Sequence, residues 1–293
     1  MEIILLSGFF VGLTYGLVAV GLVVIYRGSR VISFCYLQTG QYGAIFFALA
    51  WTGSGGAVPL PAALSLAAFG SAVVSGLTEV LVVRPLRDSS RVSVTLATFG
   101  VAGLLSAIVA NVWGQYPPGA GPLVSGIGPV VGGLRIAPQD ILILIVSVLV
   151  LSVLYVLYNH TAFGLRSRAS AIDPYLAGQA GVNANVTSLA SWSLGGIIAG
   201  VSAILISPTV AFSPDLVVRG LAAALVAGMG NMGVAFCCGV IIGLFEALTT
   251  YLNRTPGLVD FGLAAFIILL LLVRPNGLWP GRYGADARTL SPY

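Results

Sequence analysis

The residues able to do acid–base or metal chemistry in this chain are few, and their spacing builds no catalytic centre. His160 is the only histidine and stands outside any H-x-x-x-H or H-E-x-x-H pattern that would place ligands or a base on one helix face. Glu79, Glu246 and Asp260 are the carboxylates that the apolar stretches offer, and no acid–base pair or serine nucleophile accompanies them. Cys35, Cys237 and Cys238 fall in apolar segments and read as small packing residues rather than a disulfide framework or a metal site. All thirteen basic residues are arginine. A P-loop needs its lysine on the phosphates, so any ATP used with this chain is bound by another one. GMGNMG, Gly228 to Gly233, fits G-x-G-x-x-G but lacks the strand and βαβ unit of a dinucleotide site. It reads as a helix break. No catalytic residue, metal site or cofactor is expected in the chain itself.

The remaining chemistry is hydrogen bonding inside apolar sequence. Gln38, Thr39, Gln41 and Tyr42 cluster early in one apolar run. Such groups are costly to bury unpaired, so they face a neighbouring helix or a cavity. At Gly228, Gly230 and Asn231 a break would free backbone groups able to hold a small zwitterion. With Tyr15 of the first apolar run, these residues form the expected substrate path.

A second polar set lies between Tyr158 and Leu189, in FGLRSRASAIDPYLAGQAGVN, Phe163 to Asn183. Asp173 precedes Pro174, the signature of a helix start with a capping carboxylate and proline in the first turn. Tyr175 to Ala180 would form one or two short turns, closed by Gly181. The spacing predicts a compact knob held off the membrane by Arg166 and Arg168. An idle loop is the ordinary alternative, but about thirty idle residues exceed the usual connection.

The elements that must position these groups are membrane helices. The chain has 293 residues, 58% hydrophobic and 8% charged, with a mean hydropathy of +1.02. A soluble domain carries roughly 25% charge. Apolar runs cover Ile3–Tyr26, Val31–Trp51, Val58–Val83, Val92–Trp113, Ile141–Tyr158, Leu189–Phe212, Val234–Leu252 and Leu258–Val273. Gly220–Gly230 is too short to cross alone. The expected fold is therefore an all-α polytopic membrane bundle, one transmembrane domain over residues 1–293, with eight or nine helices and a broken or re-entrant element near 220–233. The first run lacks a basic flank and a cleavage site and reads as a retained helix.

Arginine placement orients the bundle. With the N-terminus outside, Arg27, Arg30, Arg84, Arg87, Arg91, Arg166, Arg168, Arg274, Arg282 and Arg288 lie inside, and only Arg135, Arg219 and Arg254 outside. The C-terminus is then cytosolic. An external Gly/Pro-rich loop falls at about 114–140, with a short hairpin expected at LRIA, and the cytosolic polar loop at about 159–188. Gly8, Gly12 and Gly16, and again Gly196 and Gly200, recur at i, i+4. That spacing suits close helix crossings, though glycine is common in membrane helices anyway. Glu79 beside Arg84 reads as an interfacial ion pair fixing a helix end.

Four blocks, in order, resemble the branched-chain amino-acid family of ABC-transporter permeases. TEVLVVRPLR is similar to the family's E-R-L-V-Y-R-P-L-R at Glu79, Leu81, Val82, Arg84, Pro85, Leu86 and Arg87. The Phe163–Asn183 segment resembles its cytoplasmic coupling segment, G-R-x-x-R-A-x-A-x-D…A…G-I-N. FEAL, Phe245 to Leu248, resembles G-L-x-E-A-L, and LLLLVRPNGLWPG resembles the closing L-L-F-R-P-x-G-L-x-G at Arg274, Pro275, Gly277 and Leu278, with Gly281 one place late. One block departs. Where the family reads I-N-F-A-H-G-E, this chain has Ser33, Tyr36, Leu37 and Gln38 in place of Asn, His, Gly and Glu, which leaves the solute open.

The resemblance implies a permease subunit of a bacterial ABC importer in the inner membrane, for branched-chain amino acids or a related small polar solute. It implies two ATPase subunits that bind ATP and Mg, a second homologous permease and an external solute-binding protein, with membrane lipid around the bundle and no nucleic acid. Arg166, Arg168, Asp173, Pro174, Leu176, Gly178 and Gly181 would carry ATPase coupling. The alternative, an ion-coupled secondary transporter or channel, would need a coupling-ion site or a selectivity ring, and the spans offer only Glu79, Glu246 and Asp260 for one.

Overall fold

A computed structural model describes residues 2–51, 53, 58–87, 89–114, 123, 124, 126, 128, 130, 131, 134–206, 214–252, 261, 262, 264, 265 and 268. Apolar, strong helix-forming sequence folds as long helices: α1 (Glu2–Ser29), α2 (Tyr36–Trp51), α3 (Leu60–Thr78), α4 (Arg91–Trp113), α5 (Pro138–His160), α8 (Ala184–Ile206) and α10 (Met232–Leu252). Shorter helices α6 (Ala162–Ile172), α7 (Pro174–Gln179) and α9 (Pro214–Val226) lie between them. Among the described residues, the only strands are β1 (Val130–Val131) and β2 (Leu134–Arg135), paired antiparallel with Val130 opposite Arg135. That ladder is the hairpin expected at LRIA. Among the described residues, six helices are long and apolar enough to span a bilayer, and α9 has the composition but not the length. The predicted span Leu258–Val273 and the closing RPNG block lie largely outside the described residues.

Helix ends differ from the sequence reading where polar residues join the helix. α5 begins at Pro138 and α8 at Ala184, so the loops predicted at 114–140 and 159–188 are shortened. The α8 start is set by Asn183, whose Oδ1 accepts the amides of Asn185 and Val186 at 3.0 and 3.3 Å. α2 begins five residues later than expected, because Val31–Cys35 is non-helical. α3 runs on through a π-helical turn, Glu79–Val83, in which the Arg84 amide donates to the Glu79 carbonyl at 2.7 Å.

The described chain divides into two compact units. One comprises residues 1–23, 124–152 and 218–293. Its core is the crossing of α1 on α10. A Cβ added at Gly12 would lie 2.7 Å from Val240 Cα, and one at Gly243 would lie 2.3 Å from Gly12 Cα, so only glycine permits this approach. Gly8 and Gly16 meet Ala247 and Phe236 in the same seam.

The other unit comprises residues 24–123 and 153–217, with α2, α3 and α8 packed on one another. Gly196 and Gly200 of α8 lie against Ser71 of α3, and Ser75 Oγ donates to the Trp192 carbonyl at 2.6 Å. Ala44, Phe47, Ala63, Ala67, Ala203 and Ile204 close the core around them. Both glycine stripes read from the sequence are thus helix crossings. α4 and α5 instead expose Val92, Leu96, Phe99, Ile145 and Leu149, side chains that lipid would cover.

Candidate functional site

In the first unit α1, α9 and α10 bring three polar side chains together inside apolar helices. Arg219 of α9 pairs with Glu246 of α10, Nη1 to Oε1, at 2.7 Å. The Tyr15 hydroxyl donates to Glu246 Oε2 at 2.8 Å and accepts from Arg219 Nη1 at 2.8 Å. The guanidinium also stands 5.7 Å from the Tyr15 ring centroid, close enough for a cation–π contact. Tyr15 reaches Glu246 because helical side chains lean toward their own N-terminus and the glycine crossing holds α1 and α10 close. Charged groups at such depth are expensive unless paired, and here each has its counter-charge and a hydroxyl. Glu246 also lines a cavity of about 420 Å³ with Ser7, Val11, Gly243, Thr250 and Tyr251.

Of the predicted path residues, only Tyr15 belongs to this cluster. Thr39 bonds back to the Cys35 carbonyl at 3.0 Å, and the Tyr42 hydroxyl donates to the Leu105 carbonyl of α4 at 3.2 Å. Gln41 is half-buried. Gln38 Oε1 is buried, with no hydrogen-bond partner among the described residues. The break expected near Gly228 is present between α9 and α10. Gly228 takes φ 78°, and the amides of Gly228 and Met229 donate to Leu225 and Ala224 at 2.8 and 2.9 Å. That is a Schellman stop, which satisfies the carbonyls at the end of α9. Asn231 Oδ1 accepts the amides of Gly233 and Val234 at 3.0 and 3.4 Å, capping α10. The amides of Gly228, Met229, Gly233 and Val234 are therefore bonded within the chain. Gly230 lies in the same turn, half-buried.

The second unit carries the polar segment. Asp173 Oδ1 accepts the amides of Tyr175 and Leu176 at 2.8 and 3.1 Å, and Pro174 occupies the first turn of α7. Gly181, at φ 81°, ends it, with Val182 and Gly181 donating to Ala177 and Gly178 at 2.9 and 3.0 Å. Tyr175 and Leu176 are 74% and 60% exposed, and a Cβ at Gly178 would meet nothing within 4 Å. Arg168 turns back to the end of α5, donating to the Tyr158 carbonyl at 2.6 Å and to Asn159 Oδ1 at 2.7 Å. Arg166 is exposed. The sequence reading missed α6, which packs on α7 and α8. Its mean composition is polar, and its few apolar positions at helical spacing, Leu165, Ala169 and Ile172, make too short a stripe to signal a helix.

Glu79 is fully buried in the same unit. It accepts from Arg84 at 3.1 Å and Arg87 at 3.4 Å, and Arg87 also donates to Asn185 at the start of α8. The ion pair read as a helix-end fixture thus ties the π-turn of α3 to α8.

Long apolar helices, lipid-facing flanks and charges kept in internal pairs define a polytopic helical membrane protein. The chain belongs to the family of permease components of branched-chain amino acid transport systems, whose family model matches residues 4–273. It is similar to the high-affinity branched-chain amino acid transport system permease protein BraD of Pseudomonas aeruginosa, 26% identical over 294 residues and 94% of each chain. It is 27% identical to the LivH permease protein of Escherichia coli K12 over 292 residues, 93% of each chain. A probable LivH permease protein of Methanocaldococcus jannaschii is 34% identical over 143 residues, 45% of each chain. The chain is accordingly a membrane permease subunit of an ABC importer, as the four sequence blocks implied.

Proposed function

We propose that this subunit carries branched-chain amino acids or a related small polar solute, and forms the path together with a second, related permease. An external binding protein delivers the solute. Two cytosolic ATPases, which hold the ATP and Mg, drive the cycle. The chain forms one transmembrane domain of eight or nine helices in the bacterial inner membrane, with its N-terminus outside, its C-terminus cytosolic and a broken or re-entrant element near 220–233.

The observation that carries this reading is the exposed, doubly capped helix α7, presented by α6. A six-residue helix with Tyr175 and Leu176 bare of intramolecular cover is a poor element of a folded core. It is a suitable plug for a groove on a partner. The coupling residues divide by task. Asp173, Pro174 and Gly181 shape the knob, Arg168 fixes its approach to α5, and Arg166, Leu176 and Gly178 face the partner. Closure of the ATPase pair would rock the helices through this knob and switch the path from outward to inward access.

The test is uptake of labelled leucine into proteoliposomes holding this chain, its sister permease and both ATPases, with the binding protein supplied outside. Uptake should require ATP in the ATPase compartment. Uptake that persists without the ATPases, or that follows an ion gradient instead, would refute the reading.

A further inference from the structure

We infer that a cavity of the second unit, where the ends of four membrane helices meet, seats the phosphate of an anionic phospholipid, with Arg30 and Arg87 as its cationic wall. The cavity holds about 290 Å³. Its lining includes Ser29 at the end of α1, Val83 at the end of the π-turn that extends α3, Val94 in the first turn of α4 and Ala184 at the start of α8. These four helices are each long and apolar enough to span a bilayer, so their shared ends lie at the depth of the lipid headgroups. In the orientation proposed above, that is the cytosolic leaflet.

Charge selects the ligand. Among the described residues, no carboxylate lines the cavity. Glu79 pairs with Arg87 but is shared with Arg84, so one negative charge stands between two guanidiniums. Over residues 27–91 the sequence holds five arginines against Glu79 and Asp88, a net of +3. Among the described residues, Arg87 gives two of its five N–H donors to Glu79 and Asn185. A guanidinium can grip a phosphate with a further pair. Arg30 ends α1 at φ 57°, a left-handed position where glycine is usual, and its amide donates to the Tyr26 carbonyl at 2.8 Å. A constrained backbone beneath a cationic side chain is the kind of outlier that gathers at ligand sites. Ser89 and Ser170 add hydroxyls to the wall.

The apolar part of the wall favours a lipid over a free phosphate. Val31, Val83 and Ile172 suit the glycerol and first methylenes of a phospholipid and give a hydrated inorganic ion nothing. The volume lies at the lower end of the roughly 300–1,000 Å³ of small-ligand sites. A headgroup fits, and the acyl chains lie outside, where Leu96 and Phe99 of α4 are exposed. A zwitterionic lipid would bring its own ammonium toward the arginines, so the anionic class is preferred. Ser170 and Ile172 belong to the last turn of α6, so the bound phosphate braces the base of the segment that carries α7.

The test is hydrogen–deuterium exchange on the complete transporter in nanodiscs of phosphatidylcholine with increasing phosphatidylglycerol. Amides of residues 28–31, 83–89 and 170–172 should gain protection that saturates with phosphatidylglycerol. Phosphatidylcholine alone should give none, with or without inorganic phosphate in the buffer. Ser89→Glu puts a carboxylate in the wall, and Arg30→Gln removes one cation. Each should raise the half-saturating phosphatidylglycerol fraction about fivefold, the scale of one basic contact at a membrane surface. Gln179→Glu adds the same charge at an exposed position of α7 outside the cavity and should not shift it. No saturable protection in the wild type would overturn the inference, whatever the variants do. So would equal protection by inorganic phosphate, or a shift by Gln179→Glu as large as that by Ser89→Glu. The readout needs no uptake, so it stands or falls apart from the transport reading.

Discussion

Arg219 and Glu246 meet at 2.7 Å between α9 and α10, with side chains 21% and 18% exposed. Losing either residue removes the other's counter-charge at 2.7 Å. Removing one partner of a fully buried pair costs about 3–5 kcal/mol, and partial exposure reduces that to about 2 kcal/mol here. Arg219→Met should therefore lower the melting temperature of the purified subunit in detergent. Arg219→Met with Glu246→Met should recover at least half of the loss. A double variant no better than the single one would show that the pair is not the stabilising unit.

The glycine seam gives a steric prediction. Gly12→Ala places a Cβ 2.7 Å from Val240 Cα and carbonyl oxygen, and backbone cannot yield as a flexible side chain would. Gly100→Ala meets nothing within 4 Å. The first should cost about 1–3 kcal/mol, as overpacking does, and the second should be neutral or slightly stabilising through helix propensity. Thermal denaturation in detergent compares them. Equal melting temperatures would contradict the close crossing of α1 and α10.

Much of this was legible in the sequence, for physical reasons. The i, i+4 spacing of Gly8, Gly12 and Gly16 announces a close crossing, and Asp-Pro with a later glycine announces a capped short helix, because both signals are local. Tyr15 with Arg219 and Glu246 was not legible as a cluster. Its members are far apart in the chain, and nothing local says that α1 and α10 cross. The π-turn at Glu79 was also hidden, since its geometry follows from holding that carboxylate between Arg84, Arg87 and α8. At Gly228 the break was legible, but not that Asn231 and a Schellman stop would occupy its backbone groups.

Arg87 touches both Glu79 and Asn185, whereas Arg84 touches Glu79. Glu79→Ala removes the one acceptor between two arginines and should abolish folded yield, measured by size-exclusion chromatography. Arg87→Ala leaves Glu79 with Arg84 and should be milder, costing about 1–2 kcal/mol, on the scale of one charged hydrogen bond. A milder effect from Glu79→Ala than from Arg87→Ala would reverse the assigned hierarchy.

Orientation is tested by labelling in a background without Cys35, Cys237 and Cys238. Val124→Cys and Gly178→Cys both sit at exposed positions. A membrane-impermeant maleimide added to intact cells should label the first and not the second, given the arginine distribution. The opposite pattern would invert the topology.

The central claim is that α7 is the element through which ATPases act on this permease. Gly178→Arg and Leu176→Asp alter its exposed surface, and the space beside Gly178 is empty, so the fold should tolerate both. The direct measurement is co-purification of the ATPase subunits with each variant permease in detergent. The account predicts that both variants insert and purify normally but lose the ATPases, and that leucine uptake stops. Retention of the ATPases at wild-type stoichiometry by both variants would contradict it.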